Sequence, residues 1–112
     1  MGIPNGTDLQ YLAMNTLDEF HRSVASEERP PADLTTALES LWWDAKGDWN
    51  RAHETTQADA DATVSWVHAY LHRKEGDLSN AGYWYSRAGQ PVAGGGLDAE
   101  RDAIVRAILS ED

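Results

Sequence analysis

Two short stretches of this chain share one pattern. Residues 46–52 read Lys-Gly-Asp-Trp-Asn-Arg-Ala, and residues 75–81 read Glu-Gly-Asp-Leu-Ser-Asn-Ala. In both, a glycine is followed by an aspartate, a large apolar residue, two spacers and an alanine. Glycine adopts the positive φ of a tight turn, aspartate caps the helix that follows, and alanine lets two helices approach closely. The pattern therefore predicts two helical hairpins, with their turns at Gly47 and Gly76.

The rest of the chain also shows helical spacing of its apolar residues, and the alternation expected of strands is almost absent. We predict one all-α domain of about six helices spanning residues 1–112. Its predicted parts are an N-terminal helix (7–26), a first hairpin (33–57), a second hairpin (61–89) and a C-terminal helix (98–110). The expected N-terminal signals are a capping box of Thr7 with Gln10, and caps at Asp48, Asp61, Asp77 and Asp98.

Charge and composition exclude several classes of function. The chain has 19 acidic and 9 basic residues, a net charge of −10, which argues against binding a nucleic-acid backbone. It has no cysteine, so a disulfide, a thiolate metal site and a cysteine nucleophile are excluded. The sequence contains neither an apolar run long enough to span a membrane nor a signal-peptide pattern. We expect a cytoplasmic protein without nucleic-acid or membrane partners.

Around its two turns the chain resembles the tetratricopeptide repeat family, whose helix–turn–helix units stack into a superhelix. The resemblance covers about residues 34–91. The glycines of the turns are 29 residues apart (76 minus 47), against a family period of about 34. The first hairpin also has Thr56 where the family has an aromatic residue. The matching residues are Trp43, Gly47 and Ala52 in the first hairpin and Ala69, Gly76, Leu78, Ala81, Tyr85 and Ala88 in the second, with Pro91 near the terminal proline.

The aromatic-rich second hairpin also resembles one found in small, functionally uncharacterised bacterial helical proteins, a resemblance that implies no activity. The repeat family usually binds a peptide on the face formed by the first helix of each unit. This implies a non-enzymatic interaction module for a protein or peptide segment, with no catalytic residue, metal or cofactor. We expect the N-terminal helix to cover part of that groove. The partner-binding residues implied are Trp66, Tyr70, Arg73 and Lys74, extended by Trp84 and Arg87.

An alternative is a small-molecule- or metal-binding domain, with catalysis as an option. His68, His72 and Glu75 are spaced four and three residues apart, which places them on one stripe of a helix. Asn80 and Tyr83 complete this predicted polar cluster. A further ligand from the first hairpin would be His53 or Glu54. The competing interpretation is structural: histidines fill space between helices and hydrogen-bond to neighbours.

Overall fold

A computed structural model describes residues 14–110 of the chain. This part contains six α-helices and no strand, which confirms the prediction of an all-α fold with about six helices. The predicted capping box of Thr7 and Gln10 lies outside the described residues. The helices are α1 (Leu17–Ser26), α2 (Thr36–Ala45), α3 (Trp49–Thr56), α4 (Ala62–Glu75), α5 (Leu78–Ala88) and α6 (Leu97–Leu109).

Three helix starts follow the predicted capping chemistry. The side chains of Asp48, Asp61 and Asp77 each accept a hydrogen bond from the backbone amide three residues later, at the starts of α3, α4 and α5. Each bond satisfies an amide that has no partner within the helix. Gly47 and Gly76 have φ values of 97° and 91°, a region that strains other L-residues. Both predicted turns are present.

The other three helices start elsewhere. Thr16 has an extended backbone and caps α1, in place of the continuous N-terminal helix that the sequence predicts. Thr35 caps α2, so this helix begins beyond the predicted start near Asp33. Gly96 precedes α6 without a side-chain cap, and Asp98 lies inside the first turn. Threonine hydroxyls can cap a helix as aspartate carboxylates do, so the sequence allows more than one start for α1 and for α2.

The core forms around α4, which packs against α2, α3, α5 and α6. Helices α2 and α3 pair with each other, as do α4 and α5, while α1 packs on α2 and α6. Whether these pairs are tetratricopeptide units stays a prediction. Trp42, fully buried on α2, donates from Nε1 to Ser23 Oγ of α1 at 3.0 Å. Ser40 Oγ donates to the Ala52 carbonyl at 2.7 Å, which links α2 to α3.

Candidate metal centre

The face of α4 that was predicted to bind a peptide is covered by another helix. Tyr70 is fully buried, and its hydroxyl donates to Asp44 Oδ2 of α2 at 2.5 Å. Lys74 Nζ donates to Oδ1 of the same carboxylate at 2.8 Å. Helix α6 packs on both α2 and α4, and the N-terminal helix α1 packs on α2. Tyr70 is therefore a core residue and has no surface to offer a partner.

Arg73 is also used within the fold. Its Nη1 donates to Glu100 Oε1 of α6 at 2.8 Å, and its Nη2 donates to the Gly95 carbonyl. The Tyr85 hydroxyl donates to the other oxygen of Glu100. Only 15% of the Arg73 side chain is exposed. This guanidinium holds α6 and the loop before it against α4, so it does not point freely into a groove.

The remaining predicted partner residues lie in two places. Trp66 lines a cavity of about 310 Å³ beneath the loop of residues 90–96. Trp84 and Arg87 are on α5, where the guanidinium lies 5.5 Å from the centroid of the Trp84 ring and 5.8 Å from that of Tyr83. Tyr83 is 55% exposed. The six residues predicted to bind a partner thus do not form one continuous surface.

Three histidines from two helices meet between α3 and α4. His53 comes from α3, and His68 and His72 come from successive turns of α4. One ligand nitrogen of each ring lies within 4.8 Å of the other two, and Nε2 of His53 is 3.0 Å from Nε2 of His68. Nitrogens bound to one tetrahedral zinc ion, at 2.0–2.1 Å each, would be about 3.3 Å apart. The three rings are therefore close to the spacing that a metal ion requires.

Two tryptophans hold these rings in place. Trp49 stacks on His53 with the ring centroids 5.0 Å apart, and Trp84 stacks on His68 at 4.0 Å. Trp49 Nε1 also donates to the Leu71 carbonyl at 2.8 Å, which fixes α3 against α4. His68 and His72 are buried, whereas His53 remains partly exposed. The cluster is thus buried at His68 and His72 and partly exposed to solvent at His53.

Glu75 orients the third ring. Its Oε1 lies 2.5 Å from Nδ1 of His72, and this contact leaves Nε2 of that ring as the atom available to a metal. A carboxylate in this position fixes the orientation of a ligating imidazole and increases its basicity. The predicted cluster is only partly assembled, because Asn80 hydrogen-bonds to Asp77 and Tyr83 lies against Arg87.

The environment keeps two of the rings neutral at pH 7. Burial lowers the pKa of His68 to about 4, with further lowering from His53 and His72. Burial also lowers the pKa of His53, with a smaller effect from His72. Two neutral rings satisfy the contact between His53 and His68, since one nitrogen donates and the other accepts. The neutral ring is also the form that binds a metal.

This lowered pKa predicts a loss of stability in acid for the metal-free protein. The unfolded chain protonates His68 near pH 6.5, whereas the folded chain does so near 4. The free energy of unfolding is therefore unaffected by protonation of His68 above about pH 7. It decreases as the pH drops from 6.5 to 4, by at most about 3 kcal/mol. Urea unfolding at pH 7.5 and 4.5, with a chelator present, measures the loss.

The substitution His68→Gln should make the acid-dependent loss smaller than in the wild type, because the variant has no group to protonate at this position. His21→Gln is the matched control, since His21 lies on α1 beside Asp102 and away from the cluster. An equal loss in the wild type and in His68→Gln would show that the assignment to His68 is wrong.

No protein-family model, curated protein or solved structure matches this chain. Function is therefore inferred from the geometry of the site. Within residues 14–110, no helix has both the length and the apolar character that crossing a membrane requires.

Proposed function

We propose that this protein binds one transition-metal ion through His53, His68 and His72, with zinc as the reference ion. The observation that carries the proposal is the set of three imidazole nitrogens, all within 4.8 Å of one another. Imidazole ligands suit zinc, copper and nickel, and the chain has no thiolate to offer. Because His53 and His68 are neutral at pH 7, metal binding requires no net loss of protons from them; the Nε2 that donates in their contact passes its proton to Nδ1 of the same ring.

The neighbouring side chains support the same proposal. Glu75 holds His72 by Nδ1, as carboxylates do behind many metal-ligating histidines. The stacked rings of Trp49 and Trp84 restrict His53 and His68 to one orientation. A metal would join the first predicted hairpin to the second, because its ligands come from α3 and α4.

Titration of the metal-free protein with zinc at pH 7.5, followed by calorimetry, tests the proposal. We expect one ion per chain. Glu75→Gln should weaken the affinity about 10–100-fold, because it removes the carboxylate that orients His72. Replacing any one of the three histidines by alanine should weaken it further, because a ligand is lost.

The matched control is His21→Ala. His21 is the remaining histidine of the chain; it lies on α1, and its Nε2 is 3.4 Å from an Asp102 oxygen of α6. This variant should bind zinc as the wild type does. Failure of the wild type to bind zinc would contradict the proposal and leave the histidines as packing residues joined by hydrogen bonds.

A second candidate is the interaction with a protein or peptide that the sequence first suggested, now moved to α5. The supporting observation is exposed apolar surface on α5: Tyr83, which lies against Arg87, is 55% exposed, and Leu78 at the start of the helix is 68% exposed. Aromatic and arginine side chains contribute strongly to protein interfaces. If a partner captured by the wild type were captured equally by a Tyr83→Ser, Arg87→Ser variant, this candidate would be excluded. Either function is compatible with the cytoplasmic location that we propose.

A further inference from the structure

The turn after α4 carries a second set of side chains that can bind a metal. Gly76 follows the helix with a φ of 91°, and the backbone amide of Asp77 then donates to the His72 carbonyl at 2.9 Å. The chain thus folds back and places Asp77 beside the last turn of α4. One ligand atom from each of His72, Glu75 and Asp77 lies within 4.8 Å of the other two. Imidazole nitrogens and carboxylate oxygens are both ligands of zinc.

The turn after α2 has a similar backbone but different side chains. There the amide of Asp48 donates to the Trp43 carbonyl at 2.9 Å. Trp43 and Lys46 occupy the positions that His72 and Glu75 have in the second turn, 29 residues later. Both turns use the aspartate as a helix cap, so the turn itself requires neither a histidine nor a glutamate. These two ligands are what distinguish the second turn from the first.

His72 has one nitrogen for each set of ligands. Its Nε2 is available to the three-histidine site, formed with His53 and His68. Its Nδ1 lies 2.5 Å from Glu75 Oε1, a distance at which the ring donates a proton to the carboxylate. A metal ion can replace that proton between the nitrogen and the oxygen. The Glu75 side chain is 39% exposed and ends α4, so it can move outward to make room for the ion.

We infer that the zinc-loaded protein binds a second zinc ion at the turn site, formed by His72, Glu75 and Asp77, with the His72 imidazolate bridging the two ions. This inference rests on the metal binding proposed above. The Nδ1 proton of His72 passes to solvent as the second ion binds. With bonds of about 2 Å from each ring nitrogen to its metal, the two ions are about 6 Å apart. Asp77 can still cap α5, because a carboxylate has more lone pairs than these two contacts use.

The charge of the turn site favours a dication. Glu75 and Asp77 supply two carboxylates, and the chain as a whole has a net charge of −10. The bridging ring becomes an anion between two cations, which reduces their mutual repulsion. Both carboxylates are exposed to solvent, and binding also requires the loss of a proton. The second ion therefore binds more weakly than the first, and fills the turn site only when zinc is in excess of the one tightly bound ion.

Calorimetric titration of the full chain with zinc at pH 7.5, continued beyond one equivalent, tests the turn site. We expect a second and weaker binding event. Asp77→Asn should weaken this event at least about 10-fold and leave the first unchanged, because losing a ligand costs at least as much as losing an outer-shell partner. Asparagine keeps the helix cap. The matched control is Asp48→Asn, which changes the cap of the corresponding turn and should retain both events. His53→Ala should weaken the first event and leave the second.

NMR of the histidine rings tests the bridge. With one zinc ion bound, the Nδ1 proton of His72 should remain, hydrogen-bonded to Glu75, and the second ion should remove it. A second event that leaves this proton in place would overturn the bridge. Equal weakening of the second event in Asp48→Asn and Asp77→Asn would overturn the turn site by attributing the event to the helix caps.

The number of bound ions separates this inference from the proposed function. A wild type that binds one zinc ion and no more overturns the turn site, while the three-histidine site stands. If zinc does not bind to the chain at all, the proposed function and this inference both fail.

Discussion

Replacing Trp42 with alanine should lower the free energy of unfolding by about 3–5 kcal/mol, which is the usual cost of truncating a buried tryptophan. Trp42 has no exposed surface and lies in the main core cluster. Its ring packs edge-on against Trp43, and its Nε1 donates to Ser23 of α1. The substitution leaves a cavity between α1 and α2 and deprives the Ser23 hydroxyl of its donor. Urea unfolding followed by circular dichroism measures the change.

Two further variants serve as comparisons for the change in unfolding free energy of Trp42→Ala. Trp42→Phe keeps much of the ring volume but loses the hydrogen bond, so its cost should be smaller than that of Trp42→Ala. Leu78→Ala changes a side chain that is 68% exposed and should cost less than about 0.5 kcal/mol. A Trp42→Ala protein that is as stable as Leu78→Ala would contradict the position of Trp42 in the core.

The second large effect is expected for Asp44→Ala, which should also cost about 3–5 kcal/mol. Asp44 is buried, with 2% of its surface exposed, and it accepts hydrogen bonds from Tyr70 and Lys74. Alanine leaves the Tyr70 hydroxyl buried without a partner, and Lys74 loses its counter-charge. The same unfolding measurement applies.

Asp98→Ala is the comparison for an ion pair at the surface. The Asp98 side chain is 87% exposed and lies 3.6 Å from Arg101, so its removal should cost about 0–1 kcal/mol. Asp44→Asn should fall between the two alanine variants, because the amide oxygen can still accept a bond from Tyr70. Equal stabilities for Asp44→Ala and Asp98→Ala would mean that the buried carboxylate contributes no more than an exposed one.

Local chemistry made much of the fold predictable. Three aspartates cap helices at the predicted positions, namely Asp48, Asp61 and Asp77. A short acidic side chain just before a helix can accept a hydrogen bond from an unpaired amide of the first turn, so these helix starts can be recognised in the sequence. The start of α2 was harder to predict because Thr35 and Asp33 can both cap. The break at Thr16 was missed because apolar residues continue at helical spacing on both sides of it.

The site was only partly predictable because it depends on which helices meet. The spacing along α4 places His68 and His72 together, but no local signal shows that α3 turns His53 toward them. The peptide groove was predicted from a family resemblance that covers about residues 34–91 and so does not include α6. In this fold α6 carries Glu100 onto α4, and that carboxylate takes Arg73 as its partner. A basic residue in an acidic chain was interpreted as a binding group, although it has an internal role.

The central position of α4 has a kinetic consequence for a metal held there. His68 and His72 lie on the helix that packs against four others, so moving them requires opening of most of the molecule. His53 lies on α3, which has only 8 residues. His53 would therefore be the first ligand to dissociate from the metal, through a brief local opening of α3. An ion would enter and leave from this side at the rate of that opening, while the other two nitrogens stay in place.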